Sequence, residues 1–149
     1  PTISLRLLYS LERGMEEALD TRVWLKCGGY LVIEPTEALC VIDVNTGKYS
    51  GKKNLHDTIM KINTEAAVEI ARQLRLRNLS GIIIIDFIDM ETEEDQRELL
   101  SVLSRVLAKD PVKTSVVEIT KLNLVEVTRK KIRRPFHEQA ALIKGKADT

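Results

Sequence analysis

Aromatic residues make up only 4% of the 149-residue chain, which argues against an RNA-binding sheet that stacks bases on Phe and Tyr. Cysteine is equally scarce. Cys27 and Cys40 have no CxxC spacing, so they make neither a disulfide framework nor a zinc site and point to a reducing, cytoplasmic compartment. No apolar run approaches the ~20 residues of a membrane span; runs such as residues 82–85 are strand-sized. The chain begins Pro1-Thr2 without the charged-then-apolar pattern of a signal peptide, and reads as a processed or excised end. An excess of one charge is missing too. Twenty-three basic against 22 acidic residues give a net of +1, which excludes a polycationic nucleic-acid tail.

What is present suits a folded domain: 44% hydrophobic and 30% charged residues, in a length that can bury roughly 68–70% of its unfolded surface. The charges cluster. Arg72, Arg75 and Arg77 sit together; Arg129, Lys130, Lys131, Arg133 and Arg134 form a dense basic run; Glu91, Glu93, Glu94, Asp95 and Glu98 gather the acids.

Apolar spacing predicts an amphipathic helix over 5–19, weakened by Gly14. Residues 22–26, a Gly28-Gly29 turn and residues 30–34 read as two extended pieces, and 38–44 as a further strand. Short connections between them imply antiparallel pairing. Asn54 reads as an N-cap, with Asp57 in the first turn of a helix reaching about Arg77. Its stripe is Leu55, Ile59, Ile62, Ala66, Ile70 and Leu74. Residues 82–86 are apolar on both faces, as in a strand covered on both sides. Thr92 with Asp95 caps a helix to about Ala108, with Leu99, Val102, Leu103 and Val106 on its core face. Asp110-Pro111 ends it, and 115–120 and 124–127 follow as strands. The tail from Arg129 reads as helical, with 145–149 frayed. The order predicts an α/β fold: an antiparallel hairpin followed by α-β-α-β in a mixed sheet with covering helices.

Two carboxylates occupy matching places: Asp43 near the end of an apolar strand and Asp86 closing another. Ligands in open α/β sheets collect at the carboxyl ends of strands. Two carboxylates converging there repel one another unless a proton or cation lies between them, and Mg²⁺ accepts one or two carboxylates while keeping several waters. Asn45 points to the same face as Asp43 and can orient a carboxylate or donate to a phosphate oxygen. The alternative is that both acids only cap the next loop or helix. Asp89 suits a turn role. The loop 47–53 fails as a Walker A motif, because three residues separate its glycines and Lys53 stands where Ser or Thr is needed. Lys48, Lys52 and Lys53 on that loop suit either a phosphodiester backbone or a solvated surface. His56 and His137 have no partner in view and read as surface residues. Asn78-Leu79-Ser80 matches a glycosylation triplet that carries no meaning without secretion.

The segments Val23-Trp24-Leu25-Lys26-Cys27-Gly28-Gly29-Tyr30, Ile42-Asp43-Val44-Asn45-Thr46-Gly47-Lys48, Asn63-Thr64-Glu65-Ala66-Ala67 and residues 69–77 and 81–90 resemble the ribonuclease E/ribonuclease G family. The likeness is dense from 22 to 131 and leans to the ribonuclease G side. It falls on the deoxyribonuclease-I-like subdomain that houses the catalytic centre. It implies that Asp43 and Asp86 bind a catalytic Mg²⁺ (Mn²⁺ as a substitute) and that Asn45 orients the site. The implied activity is Mg²⁺-dependent endonucleolytic hydrolysis of single-stranded RNA, often in A/U-rich stretches, to 5′-phosphate and 3′-hydroxyl products. The cation would orient or ionise the attacking water and offset charge on the scissile phosphate. Lys113 falls near a position tied to handling the RNA 5′ end. On this reading, 1–21 is a helical connector from an upstream region, 22–131 the catalytic domain and 132–149 a basic tail. The family's S1 domain, 5′-monophosphate sensor, ribonuclease-H-like piece and CPxC-type Zn²⁺ link, which makes its members homo-oligomers, have no counterpart in these residues. The isolated chain is therefore expected to bind RNA weakly and to cleave it poorly. The rival reading is a non-catalytic RNA-binding or assembly module that kept the fold; Asp43, Asn45 and Asp86, all present, favour the enzyme.

Overall fold

The computed structural model of the chain describes residues 4–6, 8–9, 11–13, 20–49 and 54–132. The elements in order are β1 (Arg22–Trp24), β2 (Tyr30–Pro35), β3 (Leu39–Asn45), α1 (Leu55–Leu76), β4 (Gly81–Asp86), α2 (Glu93–Leu107), β5 (Thr114–Ile119) and β6 (Val125–Arg129). The expected N-terminal helix is seen in the described residues between 5 and 13, where Leu5, Leu8, Tyr9 and Leu11 are exposed. Its continuation over 14–19 and the tail from 133 on lie outside the described residues.

The six strands form one mixed sheet in the order β1-β2-β3-β4-β6-β5. Among neighbouring strands only β3 and β4 run parallel, joined through α1; the other neighbours pair antiparallel, and β5, reached from β4 through α2, lies beyond β6 at the edge. Asn54 caps α1 by accepting from the His56 amide, and Thr92 caps α2 by accepting from the Asp95 amide, as the sequence leads one to expect. Asn78 ends α1 at φ 50°. The amides of Asn78 and Leu79 bond back to the Arg75 and Leu74 carbonyls, a Schellman closure.

Ile62, Ala66, Ile70 and Leu74 of α1 and Leu99, Leu103 and Leu107 of α2 share one core with Leu31, Ile33, Ile42, Val44, Ile83, Ile85, Val125 and Val127. These strand residues alternate, so the helices cover a single face. The expectation that residues 82–85 are covered on both sides is therefore overturned: Ile82 is 41% exposed and Val41 36%. The β3-α1-β4 crossover and the α2 return put α1 and α2 on one side of the sheet.

Helix α1 lies close to the sheet at Ala66 and Ala67, both fully buried. Ala66→Leu should overpack that contact and cost roughly 1–3 kcal/mol in chemical denaturation, against a near-neutral change for exposed Val68→Leu. Lys61 and Arg72 face outward, whereas Glu65 is half-buried and accepts from the Cys27 amide at 3.2 Å.

Two basic clusters prove partly structural. Arg77 is buried; its Nε donates to Gln73 Oε1 at 2.8 Å, and its Nη2 donates to the Asp20 carbonyl. Arg129 is buried against Asp110, with Nε 2.9 Å from Oδ2, and also donates to Asn78 Oδ1 and the Leu79 carbonyl. Arg133 and Arg134 of the same run lie outside the described residues.

Candidate acid site at the ends of β3 and β4

Asp43 and Asp86 are direct partners in the register of the parallel pair. Their backbones are about 4.8 Å apart, and both side chains stand on the face opposite α1 and α2. Each is exposed, while Ile42, Val44 and Ile85 beside them point into the core. The carboxyl of Asp86 is held above its ordinary range by partial burial first, then by the charges of Asp43 and Asp89. Like charges crowd this corner. The donors are carboxylate oxygens only, which suits a hard cation that keeps much of its water shell. Among the described residues no group of three or more His, Cys, Asp or Glu side chains converges on a metal position.

Asn45 lies two residues beyond Asp43 on the same face, and its Oδ1 accepts from the Gly47 amide at 3.0 Å. That bond engages Oδ1, and the donor hydrogens of Asn45 are those on Nδ2. Gly47 sits at φ +57°, where a Cβ would stand 2.4 Å from the Gly28 carbonyl oxygen and 3.1 Å from the Tyr30 ring. The turn after β3 is thus seated on the β1–β2 turn, and it holds Lys48 exposed, with Nζ 6.0 Å from the Trp24 ring centroid. Lys52 and Lys53 lie outside the described residues. Lys113 does not join this site. It precedes β5 at the end where Arg129 pairs with Gly81, about 17 Å along β4 from Asp86.

The sequence reading missed Asn63. It is fully buried in α1; its Nδ2 donates to the Ile88 carbonyl at 2.9 Å and its Oδ1 accepts from the Ile88 amide at 3.0 Å. It thereby fixes the segment that follows Asp86. A polar residue next to Ile62 on the buried stripe was the available signal.

The reading of His56 as partnerless is corrected. Nε2 lies 2.8 Å from Asp95 Oδ2 and Nδ1 3.2 Å from Asp57 Oδ1, tying the starts of α1 and α2 together. The hydrogen bond to Asp95, then that to Asp57, holds the imidazole above its ordinary 6.5. His56 in turn draws Asp95 below its ordinary 3.8. A raised histidine stabilises fully below 6.5 and loses that contribution as pH rises through its folded value; a lowered carboxylate loses its share as pH falls through its own. His56→Ala should therefore lower the melting temperature most between about pH 4 and 6.5. Melts across pH test this, and an equal deficit at pH 9 would refute it.

Both cysteines are free thiols. Burial pushes Cys40 up to about 11 despite the nearby charge of Arg77. Among the described residues no helix is long and apolar enough to cross a membrane.

The family model of the Ribonuclease E/G family matches residues 2–132. The chain is 54% identical over 126 residues to a ribonuclease G of Escherichia coli K12, covering 85% of this chain and 26% of the relative. A ribonuclease G of Haemophilus influenzae matches at 53% over the same shares. A ribonuclease E of Synechocystis is 46% identical over 137 residues, covering 92% of this chain and 20% of that protein. The chain thus spans about a quarter or less of the length of these relatives.

Proposed function

The chain belongs to the ribonuclease E/G family, and from that premise we propose that it carries the catalytic centre of a Mg²⁺-dependent endoribonuclease acting on single-stranded RNA. The products would bear 5′-phosphate and 3′-hydroxyl ends. One observation carries the reading: Asp43 faces Asp86 across the parallel strand pair, with Asn45 on the same open face.

Asp43 and Asp86 would hold the cation, whose charge would offset the partial burial and then the Asp43 and Asp89 charges that raise Asp86. When bound, Mg²⁺ supplies Lewis-acid polarisation of the phosphoryl group. Asn45 offers Nδ2 hydrogens to a non-bridging phosphate oxygen and steadies charge there. Lys48 meets adjoining phosphates as a mobile point charge. Asn63 acts as a positioning residue, since it locks the backbone that continues from Asp86.

The test is cleavage of an end-labelled A/U-rich oligonucleotide with Mg²⁺, Mn²⁺ or EDTA. Internal cuts that need the cation and leave ligatable 5′-phosphate and 3′-hydroxyl ends are expected. Full cleavage in EDTA, or 2′,3′-cyclic phosphate products, would overturn the proposal.

A further inference from the structure

The chain's one tryptophan, Trp24, is 52% exposed. It lies opposite Tyr30 in the β1–β2 register, with ring centroids 5.1 Å apart and planes tilted by 55°. Their neighbours Val23 and Leu31 are buried, so both rings stand on the face opposite α1 and α2. Tyr30 is in turn the register partner of Asn45. Trp24, Tyr30 and Asn45 thus form one row across the sheet, next to the row of Arg22, Val32, Asp43 and Asp86. At strand spacing, Trp24 is about 10 Å from Asn45. Two cations flank the rings: Arg22 Cζ lies 4.4 Å from the Tyr30 centroid, and Lys48 Nζ lies 6.0 Å from that of Trp24.

An aromatic side chain left half in water adds little to the core, and in this aromatic-poor chain it stands on the sheet face that also carries the acids. A π-face flanked by an arginine and a lysine suits an unpaired base with its phosphates. We propose that Trp24, with Tyr30 behind it, is a stacking subsite for one unpaired RNA base. Arg22 and Lys48 take the phosphates on either side, directing the strand over Asn45 to Asp43 and Asp86. A single ring pair seats one base, unlike the multi-base sheets that the composition argues against. This inference rests on the reading of the acid pair as a phosphodiester site.

Because Trp24 is the sole tryptophan, its fluorescence reports occupancy directly. The chain is titrated in EDTA, so that no strand is cut, with a single-stranded RNA oligonucleotide, the same strand fully abasic, and its duplex. The single strand should quench Trp24, and the abasic strand and duplex should quench it far less. Trp24→Ala should weaken single-strand affinity by about 5- to 150-fold, read by fluorescence anisotropy of a labelled strand. Trp24→Phe should recover most of it, and melting confirms that both variants fold. Equal quenching by the abasic strand, or unchanged affinity in Trp24→Ala, overturns the subsite. Cleavage by the Asp43→Asn variant separates the two readings. If that variant loses cleavage while Trp24→Ala binds normally, the acid site stands and the stacking subsite alone fails.

Discussion

Asp86→Asn is expected to lower RNA cleavage by about 100-fold or more, the scale on which one preorganised electrostatic contact acts, while the protein stays folded. Asp43→Asn should do the same. The two carboxylates are paired in register near the ends of β3 and β4, so on the proposed function losing either would leave a single carboxylate to hold the cation. The fold should not suffer. Asp86 is raised by its surroundings, so its folded form holds a proton more tightly than the unfolded chain does. Its contribution is favourable below the ordinary 3.8 and is lost as pH rises through the folded value. At neutral pH without metal, the amide removes that burden. Asp86→Asn should melt at or above the wild-type temperature. Single-turnover cleavage and thermal melts check both halves, and wild-type cleavage by either variant would remove the acid pair from the chemistry.

Arg129→Met should cost roughly 3–5 kcal/mol, because it leaves Asp110 as an unpaired buried carboxylate. Arg129 and Asp110 are almost wholly enclosed, with side chains 4% and 1% exposed. Burial alone would raise Asp110, but the Arg129 hydrogen bond, the Val112 amide and the Arg129 charge outweigh it and hold the carboxyl below its ordinary 3.8. Its stabilising share is present above that value and is lost as pH falls through the lowered one. The same guanidinium ties β6 to the end of α1 through Asn78 and Leu79, so the loss should appear as a melting shift of roughly 6–20 °C. The double variant Asp110→Leu with Arg129→Met should recover part of it, since no lone charge remains. A shift under 2 °C in the single variant would show that water reaches the pair.

The elements that the sequence foretold are those with local causes. The caps at Asn54 and Thr92, the stripe from Ile62 to Leu74 and the Gly28-Gly29 turn each act within a few residues, and each falls where expected. The matching carboxylates were legible for a related reason: both end apolar strands, and the parallel pairing puts them side by side. What was hidden depends on distant partners. Arg77 and Arg129 look like surface basic residues until Asp20 and Asp110 are brought to them. His56 meets Asp95 only when two helix starts converge. The run 82–85 appears covered on both sides because side-chain type cannot tell which faces receive a helix; Ile82 stands open instead. The Trp24–Tyr30 pair needs the antiparallel register of β1 and β2, which composition cannot convey.

The central claim is that Asp43 and Asp86 share one Mg²⁺. The most direct measurement follows the side-chain carboxyl carbons of both residues by NMR during Mg²⁺ titration, in the wild type and in Asp43→Asn. In the wild type both resonances should move with a common midpoint, and the apparent pKa of Asp86 should fall from its raised position. In Asp43→Asn the Asp86 response should shift to much higher Mg²⁺. Independent midpoints, or an Asp86 response unchanged by the loss of Asp43, would contradict a shared site.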